Sequence, residues 1–254
     1  MTVIFRLMLF ACVAWLALTP AQAQTPAERM AATAMTRWQN SWETDPARTE
    51  RWSYEQGVLL KGIENVWLNT AEGKYFSFIQ RSIDRFVTDD GNIKTFRLDD
   101  YNLDNVNEGK LLLTLYRITE KEKYKKAADH LREQLKGQPR THEGGFWHKK
   151  IYPYQMWLDG LYMGEPFYAE YAMLFHDTAA FDDIAKQFIW MEAHSRDPKT
   201  GLLITAGTSR SSSAGLIQRP ACRRSFGAAR LAGTRWPWSI LSTTSPKIIR
   251  NERN

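Results

Sequence analysis

Gly73-Lys-Tyr-Phe-Ser-Phe-Ile-Gln-Arg-Ser-Ile-Asp84 sets Tyr75, Phe78, Ile79, Ser82 and Ile83 at the i, i+3, i+4, i+7, i+8 spacing of a single helical face. Tyr124, Ala127, Ala128 and Leu131 repeat the start of that pattern, and Phe181, Ile184, Ala185, Phe188 and Ile189 repeat all of it. Ahead of each face lies a second helix-like segment: Gly57–Leu68, Gly109–Ile118 and Phe167–Phe175. Short polar turns such as Asn69–Lys74 and Thr119–Lys123 join the two. The repeating unit is a helical hairpin, and such hairpins bury their apolar faces against their neighbours, so the spacing predicts an all-α solenoid or closed α/α toroid. No Val/Ile-rich alternating run bounded by turn residues competes with it, which leaves room for short strands only.

Between the hairpins run aromatic-rich connections, Phe96–Gly109 and Phe146–Glu165, without helical periodicity; Pro166 suits the first turn of the helix it would open. Loops gathered at one end of a helical array are where sites are built.

With 254 residues, 43% of them hydrophobic and 24% charged, the chain has the composition of a globular domain with a substantial core, which excludes disordered and collagen-like classes. The net charge of +6 is local. Nine Lys or Arg and a single acid, Glu252, fall within residues 204–254, so the chain before them is slightly acidic and offers no footprint for nucleic acid. Residues 1–23 read as an export leader: Arg6, an apolar run from Leu7 to Leu18, then Ala21-Gln22-Ala23. That run is short for a bilayer span, so the expectation is an exported protein, periplasmic or extracellular, with no membrane partner once the leader is removed. Both cysteines, Cys12 and Cys222, lie outside residues 24–203, where neither a disulfide framework nor a Cys-based metal site can form. The histidines show no HExxH or paired ligand spacing, so no metal and no cofactor are expected.

The most informative stretch is Tyr152-Pro-Tyr-Gln-Met-Trp-Leu-Asp-Gly-Leu-Tyr-Met-Gly-Glu-Pro166. One acid, Asp159, stands among Tyr152, Tyr154, Trp157, Tyr162 and Met163. A carboxyl enclosed by rings is desolvated and holds a proton that a general acid can donate. The competing reading is a carboxylate that caps a helix or binds backbone amides. In Asp99-Asp-Tyr-Asn-Leu-Asp-Asn-Val-Asn-Glu108, either Asp104 or Asp100 could partner Asp159, while Asp104 could equally cap the helix that follows. The loop lacks the glycine and the twelfth-position glutamate of a calcium hand. Trp147-His148-Lys149-Lys150 sets a cation beside aromatics, suited to a ligand carboxylate, with solvated lysines as the alternative. Trp38, Trp42, Trp52, Trp67 and Trp190 fit hairpin cores.

The block YPYQMWLDGLYMGEPFYAEYA, with YNLDNVNEGKLLLTLY and the hairpin after Tyr54-Glu-Gln-Gly57, resembles glycoside hydrolase family 105, the unsaturated rhamnogalacturonyl hydrolases. Family 88, the unsaturated glucuronyl hydrolases, is the near relative. The match covers about residues 30–203. It implies an (α/α)6 toroid, and a substrate that is a pectic oligosaccharide ending in a 4,5-unsaturated uronic acid, a vinyl ether. By that resemblance Asp159 protonates C4 and helps activate water that adds at C5, after which the ring opens and releases the neighbouring sugar. Asp104 orients the sugar and stabilises positive charge, and Tyr54, His148, Lys149, Trp157 and Met163 line the subsite for the unsaturated ring. No metal or organic cofactor is implied, and oligomeric state is left open.

The resemblance ends near Leu203. Family members continue with Tyr-His-Gly-Trp-Asp-Glu, where this chain has Ile204-Thr-Ala-Gly-Thr-Ser. Back-translating the latter as ATC ACG GCT GGG ACG AG, with a T in front and a one-base shift, gives codons for the former. The expectation is that residues 204–254 form an aberrant basic tail read out of frame, that the family's histidine position is occupied by Thr205, and that residues 24–203 supply roughly half of the toroid.

Overall fold

The computed structural model describes residues 24–204 and 206–208. The expected leader at residues 1–23, Thr205 and residues 209–254 of the expected aberrant tail lie outside the described residues. The chain forms two compact units.

The first unit comprises residues 24–50 and 55–85 of the described chain. Helix α1 spans Pro26–Arg37 and opens on a reciprocal cap, in which the Thr25 side chain accepts from Glu28 N–H and the Glu28 carboxylate accepts from Thr25 N–H. Helices α2 (Tyr54–Thr70, whose first residue belongs to the second unit) and α3 (Gly73–Asp84) make the expected first hairpin. All five residues of the α3 face are buried, and Trp67 of α2 packs on Phe76 of α3 at 5.2 Å.

The second unit holds residues 51–54 and the described chain from Phe86 onward. Helices α4 (Gly109–Thr119) and α5 (Glu122–Gly137) form the second hairpin. Tyr124, Ala127, Ala128 and Leu131 are buried as the spacing predicts. Helices α6 (Leu158–Leu174) and α7 (Ala180–Ser195) form the third, and α6 packs against α4, α5 and α7. A three-residue antiparallel ladder pairs β1 (Gln155–Trp157) with β2 (Ala206–Thr208).

Two elements differ from the sequence reading. Helix α6 begins at Leu158 rather than at Pro166, so half of the expected aperiodic connection is helical. The helix is buried on nearly every side from Gly160 to Ala169, and a helix enclosed all round has no apolar period to read. Pro166, inside it, lacks the N–H that would serve the Tyr162 carbonyl. The ammonium of buried Lys110 takes that place, donating to Tyr162 O at 3.2 Å and lying 3.9 Å from the Tyr162 ring centre. In α7 the buried residues are Ala180, Ile184, Gln187, Met191 and Ser195, a face rotated from the expected one; Ala185 and Ile189 are exposed. The cause is Gln187. Its carboxamide accepts from Phe146 N–H at 2.8 Å and donates to Gly144 O at 3.2 Å, so a polar residue holds the packed side.

Candidate active site

Asp104 sits in a 3₁₀ turn, Leu103–Val106, capped by the Asn102 side chain, which accepts from Asp104 N–H at 3.0 Å. Asp104 is therefore not the cap of α4. The turn lies against the strand-like segment after Trp147: Leu103 N–H donates to His148 O at 3.0 Å, and Asn102 and Lys149 form an antiparallel bridge. This brings three side chains together. His148 Nε2 donates to Asp104 Oδ1 at 3.1 Å, and Lys149 Nζ lies 2.5 Å from Oδ2. His148 is 1% exposed and the Asp104 side chain 9%. Burial pulls the Asp104 carboxyl upward, but the hydrogen bonds and charges of His148 and Lys149 outweigh it and hold the acid below its usual range. The pairing also bears on Lys149: its ammonium meets the Asp104 carboxylate and stays partly open to solvent.

The aromatics after Lys150 fold back on this triad. Trp157 stacks on His148 with ring centres 4.6 Å apart and planes 3° apart, and Tyr152 stacks on Trp157 at 5.1 Å and 10°. Gly160 makes room for the arrangement, because a Cβ there would stand 2.9 Å from His148 Nδ1. That Nδ1 is buried and has no hydrogen-bond partner. Next to the stack, a Cβ at Gly160 or Gly164 would meet the Leu103 methyl groups at 3.4 and 3.5 Å, ordinary contact distance.

Asp159 is the second residue of α6, two positions after Trp157. It is exposed, which corrects the expectation of an enclosing apolar recess: Tyr152, Trp157 and Tyr162 are half-buried and Tyr154 is exposed. Asp159 heads the single less-buried stripe of α6, followed at helical spacing by Tyr162, Pro166, Glu170 and Met173, so its position in the helix turns it outward. Met163 is buried on the packed part of α6. Tyr54 opens α2 and is 38% exposed, and its carbonyl accepts from the Asn107 side chain at 3.2 Å, three residues after Asp104. Asp100 is held apart by Arg97, so of the two candidate partners only Asp104 reaches His148 and Lys149. Among the described residues no three His, Cys, Asp or Glu side chains stand close enough to hold a metal ion.

A further buried acid, to which the sequence reading gives no role, is Glu165. It is 2% exposed, and its Oε2 has no partner. Burial, reinforced by Asp183 and opposed by Arg140, raises its carboxyl well above the ordinary range. Its setting between Gly164 and Pro166 in an otherwise apolar run was the available signal.

Comparison with known proteins follows the same residues. The profile of Glycosyl Hydrolase Family 88 matches residues 26–220. A glycoside hydrolase from family 105 of C. acetobutylicum ATCC 824 superimposes with a TM-score of 0.67 at 45% identity, covering 72% of this chain and 49% of its own. The unsaturated rhamnogalacturonyl hydrolase YesR of Bacillus subtilis (strain 168) is 26% identical over 157 residues, 59% of this chain and 44% of that protein. The GH76A alpha-1,6-mannanase of Salegentibacter sp. HEL1_6 shares the fold, with a TM-score of 0.57 at 18% identity, covering 74% of this chain and 56% of its own. These neighbours are α/α toroids, and the three hairpins are part of that fold. The chain spans about half the length of the first two of these relatives. The helical hairpins, the Asp104 turn and the aromatic block leading into α6 all fall within the matched residues, and the chain belongs to glycosyl hydrolase family 88.

Proposed function

We propose that the chain derives from an exported hydrolase of unsaturated pectic oligosaccharides that acts on a terminal 4,5-unsaturated galacturonyl unit linked to rhamnose. The observation that carries this reading is the union of Asp104, His148 and Lys149 under the Trp157 stack, with Asp159 two residues beyond it at the mouth of α6. Tyr152, the half-buried end ring of the stack on Trp157, offers a flat apolar face suited to a sugar ring. Lys149 holds Asp104 with one of three ammonium donors, leaving two to orient toward a uronate carboxylate.

Asp159 gives its proton to C4 of the vinyl ether, the cation that develops at C5 faces the Asp104 carboxylate, and water adds at C5 while the Asp159 carboxylate takes back a proton from it; the resulting hemiketal opens and releases the neighbouring sugar. Exposure of Asp159 fits this chemistry in one respect: the free acid exchanges with solvent, and the sugar itself supplies the desolvation when it covers the carboxyl. The family 88 profile favours a second reading, an unsaturated glucuronyl substrate, which differs in the aglycone and its linkage, since C4 and C5 are trigonal in both unsaturated rings.

The test is incubation of the 254-residue chain with unsaturated galacturonyl-rhamnose while following the ultraviolet absorbance of the conjugated double bond. The expected result is loss of that absorbance, abolished in Asp159→Asn. A chain that binds the disaccharide and leaves its absorbance intact is a carbohydrate-binding fragment, and the hydrolase reading fails for it. Preference for an unsaturated glucuronyl disaccharide selects the second reading.

A further inference from the structure

The two segments that meet at Asp104 share little backbone. A single bridge, Asn102 with Lys149, made by the bonds Leu103 N–H to His148 O and Lys150 N–H to Tyr101 O, is the backbone tie between them. A pairing this short does not hold its register alone. Behind it, at the end of α5, stand two buried glutamines: Gln134, 0% exposed, and Gln138, 3% exposed, just past the last helical residue.

Gln138 Nε2 donates to Tyr101 O at 2.8 Å and to Trp147 O at 2.7 Å. These carbonyls belong to the two different segments, one three residues before Asp104 and the other directly before His148. Gln134 Nε2 donates to Asn102 O at 3.0 Å and to Gln138 Oε1 at 3.2 Å. The orientation of both amides is dictated by their partners, since only the NH2 end can face a carbonyl, and both hydrogens of each amide are used. Tyr101 itself sits at φ +42, in the left-handed region, where a non-glycine residue needs outside support. A Cβ at Gly137 would stand 3.0 Å from the Tyr101 hydroxyl, so the end of α5 approaches this segment closely.

We propose that Gln138, backed by Gln134, is the positioning residue that holds the Asp104 turn against the His148–Lys149 segment and so sets the contact between carboxylate and cations. This rests on the reading of that trio as the part of the site that meets the substrate. Gln138 touches no reacting atom; it acts by fixing the distance over which His148 and Lys149 face Asp104. The groups that act on that carboxyl come from the segment opposite, while α6, packed on the other side, meets the turn through Gly160, Gly164 and Leu103. When the segments part, Asp104 keeps its burial and loses its cations, so its ionisation moves upward in pH.

The measurement is the titration of the Asp104 side-chain carboxyl by carbon-13 NMR in the full 254-residue chain, with no sugar present, so that it answers independently of the proposed activity. Q138M keeps the volume and removes both donors. The expected result is that Asp104 titrates below the ordinary aspartate range in the parent and at least about one pH unit higher in Q138M. An Ile83→Val variant, which loosens the core of α3, is expected to lower Tm and leave the titration alone. An unchanged midpoint in Q138M, or an equal rise in the Ile83→Val chain, overturns the proposal and makes Gln138 an ordinary core polar residue. If Q138M does not fold, Gln134→Met decides, because it removes the bonds to Asn102 O and to Gln138 Oε1 and spares the two that Gln138 donates: a smaller rise in the same direction supports the clamp, and no rise overturns it.

Discussion

The turn at Leu103–Val106 and the interior of α6 each bury a carboxylic acid, and they shift the two acids in opposite directions. Asp104 meets His148 and Lys149 and stays ionised below its usual range; Glu165 meets no donor at Oε2 and is pushed up toward the neutral form. The lesson is that burial sets the size of the stake and partners set its sign. Asp159 stands apart from both, exposed at the start of the same helix that encloses Glu165. Burial of an acid is expected at Asp159 and is found six residues further along, at Glu165.

Removing the buried anion is expected to have the largest effect. Asp104→Asn leaves the Lys149 ammonium without its counter-charge and breaks the paired carboxylate contact with His148, and is expected to cost about 3 kcal/mol at neutral pH. The folded pKa of Asp104 is depressed, so the stability it contributes is present above its unfolded value, near 3.8, and is lost as pH falls. Denaturation of parent and variant at pH 7 and at pH 3 checks this; the gap between them closes at the acid end. Gly160→Ala tests the same region sterically. The new Cβ meets His148 Nδ1 head-on, and the expected loss of about 1 to 2 kcal/mol from overpacking outweighs the helix-forming advantage of alanine. Gly164→Ala, where a Cβ meets Leu103 at 3.5 Å, is the matched control and is expected to be neutral or stabilising.

Glu165→Met carries the comparison to the other region and should reverse its sign. A raised folded pKa means stability that is whole below the unfolded value of about 4.5 and declines as pH rises toward the folded one. Replacing the acid by an apolar side chain of similar length is expected to stabilise the chain by about 1 kcal/mol at pH 7. Chemical denaturation across pH 4 to 8 reads it: the advantage of the variant grows with pH. Arg140 does not become stranded, since both its terminal nitrogens stay paired with Asp183 at 2.7 Å.

These contrasts mark how far the sequence could be read. Where a helix has one wet side, as in α3 and α5, the period of Tyr75, Phe78, Ile79 and of Tyr124, Ala127, Leu131 pointed straight to the buried face. It failed in α6, wrapped by neighbours, and in α7, where Gln187 binds the backbone of a loop more than forty residues earlier, a contact no local spacing encodes. The site divides the same way. Asp104, His148 and Lys149 stood out by residue type, and the resemblance assigned them to one subsite. Their mutual pairing, and the glutamines behind them, depend on a loop crossing that only the fold supplies.

The smallest expected effect on stability belongs to Asp159, and that is what makes it informative. An exposed acid in the first turn of a helix gains a little from the helix dipole and has no buried partner to abandon, so Asp159→Asn is expected to leave Tm nearly where it was. The same change removes the only proton that the proposed chemistry gives to C4. A variant with unchanged unfolding and no loss of vinyl-ether absorbance would separate chemistry from folding more cleanly than any change at Asp104, where stability and substrate contact fall together. If Asp159→Asn instead lowers Tm as much as Asp104→Asn does, the acid is structural after all, and the contrast between the wet start of α6 and its dry interior no longer distinguishes a proton donor from a packed carboxyl.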